Sequence, residues 1–135
     1  MKDYLKKIRK ICDKKKIILI FDECTSGFRN SFGGIHKIYN INPDIAMFGK
    51  ALGNGYPITT VIGKEKVMKS AGDSFMSSTF WSERSGPTAA LKTLEVMQKE
   101  KSWKKINLLF LLQIRLILVQ KIVAQKIVEL QFLLN

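Results

Sequence analysis

The run Ile17-Ile18-Leu19-Ile20-Phe21, closed by Asp22 and Glu23, constrains this chain more than any other stretch. Five successive apolar residues, three of them isoleucine, leave no polar face for water. That is the pattern of a strand over 17–22 buried on both faces, as in a parallel sheet. Two carboxylates follow at its C-terminal edge, where open α/β sheets place their ligands. Upstream, Leu5, Ile8, Ile11 and Cys12 recur at three- and four-residue spacing, with lysines and Arg9 on the opposite face. Residues 3–15 are therefore expected to form an amphipathic helix. A helix feeding a buried strand through a short connection is an αβ step, and the expected fold class is α/β.

A second constraint lies at Ile45-Ala46-Met47-Phe48, which reads as another strand from Asp44 to Phe48. It delivers Lys50, set between small residues and followed by Gly53, Gly55 and Tyr56-Pro57. A lysine at the end of a buried strand loses hydration, and burial lowers its pKa toward the neutral amine that a Schiff-base lysine needs. The glycines leave the backbone free to bend or to approach a flat ligand. An acid at the end of one strand and a lysine after the next, 28 positions apart, suit pyridoxal 5'-phosphate (PLP). The lysine holds the cofactor aldehyde, and the carboxylate pairs with the pyridine nitrogen.

Three segments carry a resemblance: Ile20-Phe21-Asp22-Glu23-Cys24-Thr25-Ser26-Gly27-Phe28-Arg29, then Asn42-Pro43-Asp44-Ile45-Ala46, then Phe48-Gly49-Lys50-Ala51-Leu52-Gly53-Asn54-Gly55-Tyr56-Pro57. In order and spacing they resemble the class III PLP-dependent aminotransferases, especially the glutamate-1-semialdehyde 2,1-aminomutase branch. The resemblance runs from about Tyr4 to about Lys104. It implies the large PLP-binding domain of a fold type I aminotransferase, a mainly parallel sheet flanked by helices. Asp22 is then the pyridine-nitrogen partner and Lys50 the catalytic, cofactor-linked lysine. Glu23 has the plainer reading of a structural acid. Arg29 suits either a substrate carboxylate or a surface ion pair.

Residues 30–43, rich in Asn, Gly and Pro, read as a loop. Ile58–Ile62 reads as a strand and Gly63–Met68 as the start of a short helix. A third segment, Met76-Ser77-Ser78-Thr79-Phe80-Trp81-Ser82-Glu83-Arg84-Ser85-Gly86-Pro87, precedes a helix whose apolar face is Ala89, Ala90, Leu91, Leu94 and Met97. Pro87 suits a first helical turn. Hydroxyls in this loop suit phosphate oxygens. In the family the matching threonine reaches the cofactor phosphate of the neighbouring subunit, so the resemblance makes Thr79 a cofactor-binding residue and implies a homodimer with shared sites. The Phe-Trp-Ser-Glu-Arg wording departs from the usual family pattern and leaves the substrate open.

The net charge of +12 is concentrated at the ends: +6 over residues 1–16, +5 over 101–135 and only +1 between. Lysines on helix faces are commonly just solvated, and no nucleic-acid partner is expected. Cys12 and Cys24, without a disulfide framework, point to a reducing, cytoplasmic setting. His36 is the only histidine, which argues against a zinc site or a catalytic triad.

The resemblance stops after Asn107. Leu108 to Asn135 is dominated by Leu, Ile, Val, Gln and Lys, with Glu129 its only acid. The apolar run Leu108–Val119 is twelve residues long and contains Gln113 and Arg115, too short and polar to span a bilayer comfortably. Residues 1–105 are expected to be part of the large PLP-binding domain. Residues 106–135 are expected to be an atypical helical tail, the product of a shifted reading frame. The family places the phosphate cup and the ring-stacking aromatic upstream of Asp22, and a small domain downstream. The expected parent activity is therefore PLP-dependent amino-group transfer through Lys50, with little activity in the chain as given. The competing class is a non-enzymatic remnant or a basic membrane- or nucleic-acid-binding module.

Overall fold

The computed structural model describes residues 2–80 and 82–133, with 124 and 127–133 described by backbone alone. Trp81, inside the third segment, and Leu134–Asn135, at the end of the tail, lie outside the described residues. The elements in order are helix α1 (Lys2–Lys15), strand β1 (Ile20–Asp22), helix α2 (Ile35–Tyr39), strand β2 (Ile45–Phe48) and a 3-10 turn (Lys50–Leu52). Strand β3 (Thr60–Gly63) follows, then helices α3 (Glu65–Gly72), α4 (Ser85–Glu100) and α5 (Ser102–Leu133).

The sheet has the order β1-β2-β3. β1 and β2 run parallel, with Phe21 opposite Ala46. β2 and β3 run antiparallel, with Ala46 opposite Ile62. The sheet within this chain is thus mixed, with one parallel and one antiparallel pairing. The switch follows from connection length. β1 returns to β2 through α2, whereas β2 reaches β3 through the shorter segment 49–59, which holds the 3-10 turn and the glycine turn and reverses direction.

The buried centre is Ala46, Phe48, Leu52 and Ala90, with Phe28, Ile58 and Leu94 packed against it. α4 lies close over this centre because Gly86 has no side chain. A β-carbon there would sit 3.3 Å from that of Ile58. Pro87 falls within the first turn of α4, and Glu83 accepts a hydrogen bond from Gly86 N (3.2 Å), satisfying a donor that the helix start leaves free.

Two expectations need correction. The apolar run 17–22 is not buried on both faces: Ile17, Ile18 and Ile20 are all slightly more than half exposed, and only Ile20–Asp22 pairs as a strand. β1 is an edge strand here, with β2 on one side only, so its apolarity lacks covering layers. The stretch 30–43 is not a continuous loop either. It contains α2, ended by Asn40 in the left-handed conformation (φ 54°). Asparagine is the residue, after glycine, that tolerates this cap.

Asp44 ties α1 to the sheet. It accepts hydrogen bonds from Leu19 N (2.8 Å), Arg9 Nη1 (2.9 Å) and Lys64 Nζ (2.7 Å). The Leu19 amide and the Lys64 ammonium, with Arg9, hold its carboxyl far below the usual carboxylate range. α5 runs without a break through residue 105. Its stretch Ser102–Val123, 22 residues containing an 18-residue window of mean hydropathy 1.8, is long and apolar enough to cross a membrane by length and composition. It exceeds the twelve-residue run because Trp103 and Ile106 extend it upstream and Ile122 and Val123 downstream.

Candidate active site

Side chains alternate in direction along a strand, and the carboxylates that close β1 go to opposite sides. Glu23 turns inward and is 1% exposed. It accepts hydrogen bonds from Ser26 Oγ, Ile35 N (3.0 Å) and His36 N (3.1 Å), and His36 Nδ1 lies 3.0 Å from its Oε1. Ile35 and His36 open α2, whose own cap residue, Gly34, supplies no side-chain acceptor. Glu23 therefore caps α2 from twelve residues away. A side chain at position 34 would collide with this arrangement, since its β-carbon would lie 2.5 Å from Glu23 Oε1. Burial alone would raise the Glu23 carboxyl. The hydrogen bonds from Ser26, Ile35 and His36 outweigh it and hold the group below its ordinary value.

Asp22 turns the other way and is exposed. Its Oδ1 accepts the Cys24 amide N–H at 2.9 Å. That bond, the Cys24 thiol and then the positive charge of Lys50 keep the Asp22 carboxyl below its ordinary value. The same contact, with some burial, pushes the Cys24 thiol up, away from thiolate reactivity. Both cysteines are free, Cys12 buried and Cys24 half-buried, and no metal-binding cluster occurs among the described residues.

Lys50 follows β2 and departs from expectation in one respect: it is exposed, not buried. The backbone explains this. Gly49 is extended, Lys50 has φ 44°, and the 3-10 turn carries its side chain onto the open rim of the sheet. There Lys50 Nζ donates to Thr25 Oγ1 at 2.6 Å. A left-handed lysine costs free energy that an ordinary turn avoids, and such conformations cluster at functional positions. The Gly53–Pro57 turn depends on its glycines. Gly55 has φ 106°, and a β-carbon on Gly53 would lie 2.2 Å from the Tyr56 carbonyl oxygen.

The structure thus brings Asp22, Thr25 and Lys50 to one edge of the sheet, at the C-terminal ends of the parallel strands. Asp22 and Lys50 sense each other's charge but line separate hollows. That of Asp22, about 310 Å³, also includes Leu5 and Tyr39. That of Lys50, about 320 Å³, also includes Arg29 and Asn54. Arg29 is exposed on this rim. Thr79 is not part of the cluster: it lies in the exposed stretch before α4 and lines neither hollow. The sequence assigns no role to Thr25. Only the fold, which puts it 25 positions from its partner, reveals the contact.

Comparison with known proteins bears on the fold and the family. The family model described as aminotransferase class-III matches residues 1–123, a span that includes the first part of α5. A 3-aminobutyryl-CoA aminotransferase of Cloacimonas acidaminovorans is 42% identical over 99 residues, covering 73% of this chain and 24% of the relative. A glutamate-1-semialdehyde 2,1-aminomutase of Francisella tularensis is 40% identical over 96 residues, covering 69% of this chain and 22% of the relative. The chain therefore spans about a quarter of the length of these relatives. Among solved structures, the PLP internal aldimine form of Sphingopyxis sp. MTA144 FumI superimposes with a TM-score of 0.69 at 31% identity, over 73% of this chain and 24% of that one. An ornithine aminotransferase of Plasmodium yoelii gives 0.69 at 27% identity, over 75% of this chain and 28% of that one. The three strands and their helices are thus part of the α/β fold of the PLP-dependent fold type I transaminases, and the chain belongs to the class III aminotransferase family.

Proposed function

We propose that the whole protein carries out PLP-dependent amino-group transfer, as an aminotransferase or as an aminomutase that shifts the group within one molecule. The supporting observation is the pairing of Asp22 and Lys50 at the ends of adjacent parallel strands, in a chain of this family. Their chemistry fits PLP. Asp22 stays ionised and exposed on this rim, as a partner for a protonated pyridine nitrogen must be. Lys50 offers an accessible amine on the same rim, steadied by Thr25. Bound PLP would supply an aldehyde for a Schiff base with Lys50 and a ring that withdraws electrons from the substrate carbon. Lys50 Nζ would take and return the substrate proton as general base. The Thr25 hydroxyl orients that nitrogen.

Thr79 is assigned, from the family resemblance, to the cofactor phosphate of a neighbouring subunit in a homodimer. Residues 1–105 are the family unit in this reading, residues 106–135 an appended tail of shifted reading frame, and the setting is cytoplasmic. The chain by itself turns over little or no amino donor. The test is to mix the chain with PLP, reduce with borohydride and map the modified lysines. Lys50 should be modified in preference to the other lysines, and Asp22→Asn should weaken that preference. Labelling spread evenly over surface lysines would overturn the assignment.

A further inference from the structure

Two cations share one hollow at the sheet edge. Arg29 and Lys50 both line the cavity of about 320 Å³, and no acidic residue lines it with them. Much of the remaining wall is apolar, with Phe28 and Ala51 beside Met97 of α4 and Ile106 of α5. α5 is anchored next to this wall by Trp103, whose ring centroid lies 5.4 Å from that of Phe32. Both cations are set by constrained backbone. Phe28, just before Arg29, is left-handed (φ 59°), as is Lys50 (φ 44°). Gly27 sits tight against Phe48, where a β-carbon would meet the ring at 2.6 Å, and the Phe28 amide donates to Gly33 O at 2.7 Å. The Phe28 and Phe48 rings pack with centroids 5.3 Å apart, so the turn that presents Arg29 rests on the strand that presents Lys50. Such backbone persists only where its surroundings enforce it, and it clusters at ligand-binding positions.

The sequence gives Arg29 two readings, a substrate carboxylate or a surface ion pair, and the fold disfavours the second. Among the described residues no carboxylate meets its guanidinium, whereas Arg9 is paired with both Asp13 and Asp44. The hydrogen-bond partner of Lys50 Nζ is the uncharged Thr25 hydroxyl. Two positive groups on one cavity wall repel each other, and an anion held there relieves the repulsion. We propose that Arg29 recognises the carboxylate of a short aliphatic amino or oxo acid whose reacting carbon lies at Lys50. A guanidinium meets a carboxylate through two parallel N–H donors, and the apolar wall suits the carbon chain between the two ends. The inference rests on the amino-group-transfer reading and narrows its substrates from amines in general to those bearing a carboxylate. A guanidinium also suits the phosphate of the cofactor, and the experiment separates the two anions.

The full chain is incubated, without PLP, with 4-oxobutanoate or with butanal, which has the same four carbons and no carboxylate. Each aldehyde condenses with a lysine amine to an imine, releasing water, and cyanoborohydride delivers the hydride that fixes it as a secondary amine. Peptide mapping then reads the share of label at Lys50. Shares rather than totals are compared because a basic chain attracts any anion. A parallel arm labels with PLP and borohydride. The Lys50 share should be about fivefold larger with 4-oxobutanoate than with butanal, and Arg29→Gln should bring the two shares together while PLP still labels Lys50. Arg29 is exposed and makes no described side-chain contact, so the variant should keep the wild-type circular dichroism spectrum. Equal shares in the wild-type chain, with PLP still selecting Lys50, would overturn the carboxylate role and leave amino-group transfer standing. Loss of the PLP adduct in Arg29→Gln would give the guanidinium to the cofactor phosphate and overturn the proposal. No selectivity for Lys50 with any of the three reagents would overturn both readings.

Discussion

Removing the Glu23 carboxylate is expected to cost this fold more than any other single acidic side chain. In Glu23→Ala the amides of Ile35 and His36 lose their acceptor, the His36 ring loses its buried polar partner, and Ser26 loses its bond. Hydrogen bonds to a charged acceptor contribute about 1.5–3 kcal/mol each, partly offset by the cost of keeping the carboxylate from water. Breaking a buried charged network by deleting one partner typically costs about 3–5 kcal/mol, and that is the loss expected here. It is a large share of the roughly 5–15 kcal/mol that holds a domain together. Urea titration followed by far-UV circular dichroism measures it, and Glu65→Ala is the control. Glu65 is exposed and makes only a surface pair with Lys69, so its loss should fall within about 0.5 kcal/mol. Hydrogen exchange at the amides of Ile35 and His36 gives a local reading, since both should lose protection. A Glu23→Ala midpoint matching wild type, with those amides still protected, would refute the capping role.

Acid should unfold the chain through the carboxylates that folding depresses. Glu23 and Asp44 bind protons less readily folded than unfolded, so their contribution is complete above their ordinary values of 4.5 and 3.8 and is lost as pH falls below them. A pH titration of the urea midpoint checks this, and a midpoint flat from neutrality through the acid range would contradict it. Asp44→Ala should cost about 2–3 kcal/mol, because the Leu19 amide and the half-buried Arg9 lose their acceptor. An unchanged urea midpoint would show that α1 needs no such tie. Gly27→Ala should cost about 1–3 kcal/mol, its β-carbon meeting Glu23 O and Phe48 Cδ1 at 2.6 Å. Thermal melting measures the loss. Lys50→Gly should be more stable by about 0.5 kcal/mol, since glycine relieves the left-handed backbone, while abolishing any borohydride-trapped adduct at that position. A clear loss of stability would show that the lysine side chain contributes more than its backbone costs.

Local patterns were legible in the sequence where one element sufficed to define them. Leu5, Ile8, Ile11 and Cys12 announced α1, Ile45–Phe48 announced β2, and the motif spacing placed Asp22 and Lys50 at neighbouring strand ends. Long-range partnerships were not legible. Nothing near residue 35 signals that its helix is capped from residue 23, so the segment read as a loop. The run 17–21 declared that it wants cover, yet hydrophobicity cannot say which chain supplies it. The exposure of Lys50 was misread for the same reason. Its neighbours are apolar, but one positive φ aims the side chain outward.

The rings that tie α5 to the sheet also form a mechanical path. From Trp103 to Phe32 to Phe28 to Phe48 the centroids are 5.4, 6.0 and 5.3 Å apart, and Phe48 is the second residue before Lys50. α5, at 32 residues, extends about 48 Å. Held at its base, it is a long lever with a short fulcrum. A sideways load on its far end is delivered, magnified, to the aromatic contacts under the Lys50 turn. Whatever grips that helix thereby gains leverage on the rim where Lys50 and Thr25 meet.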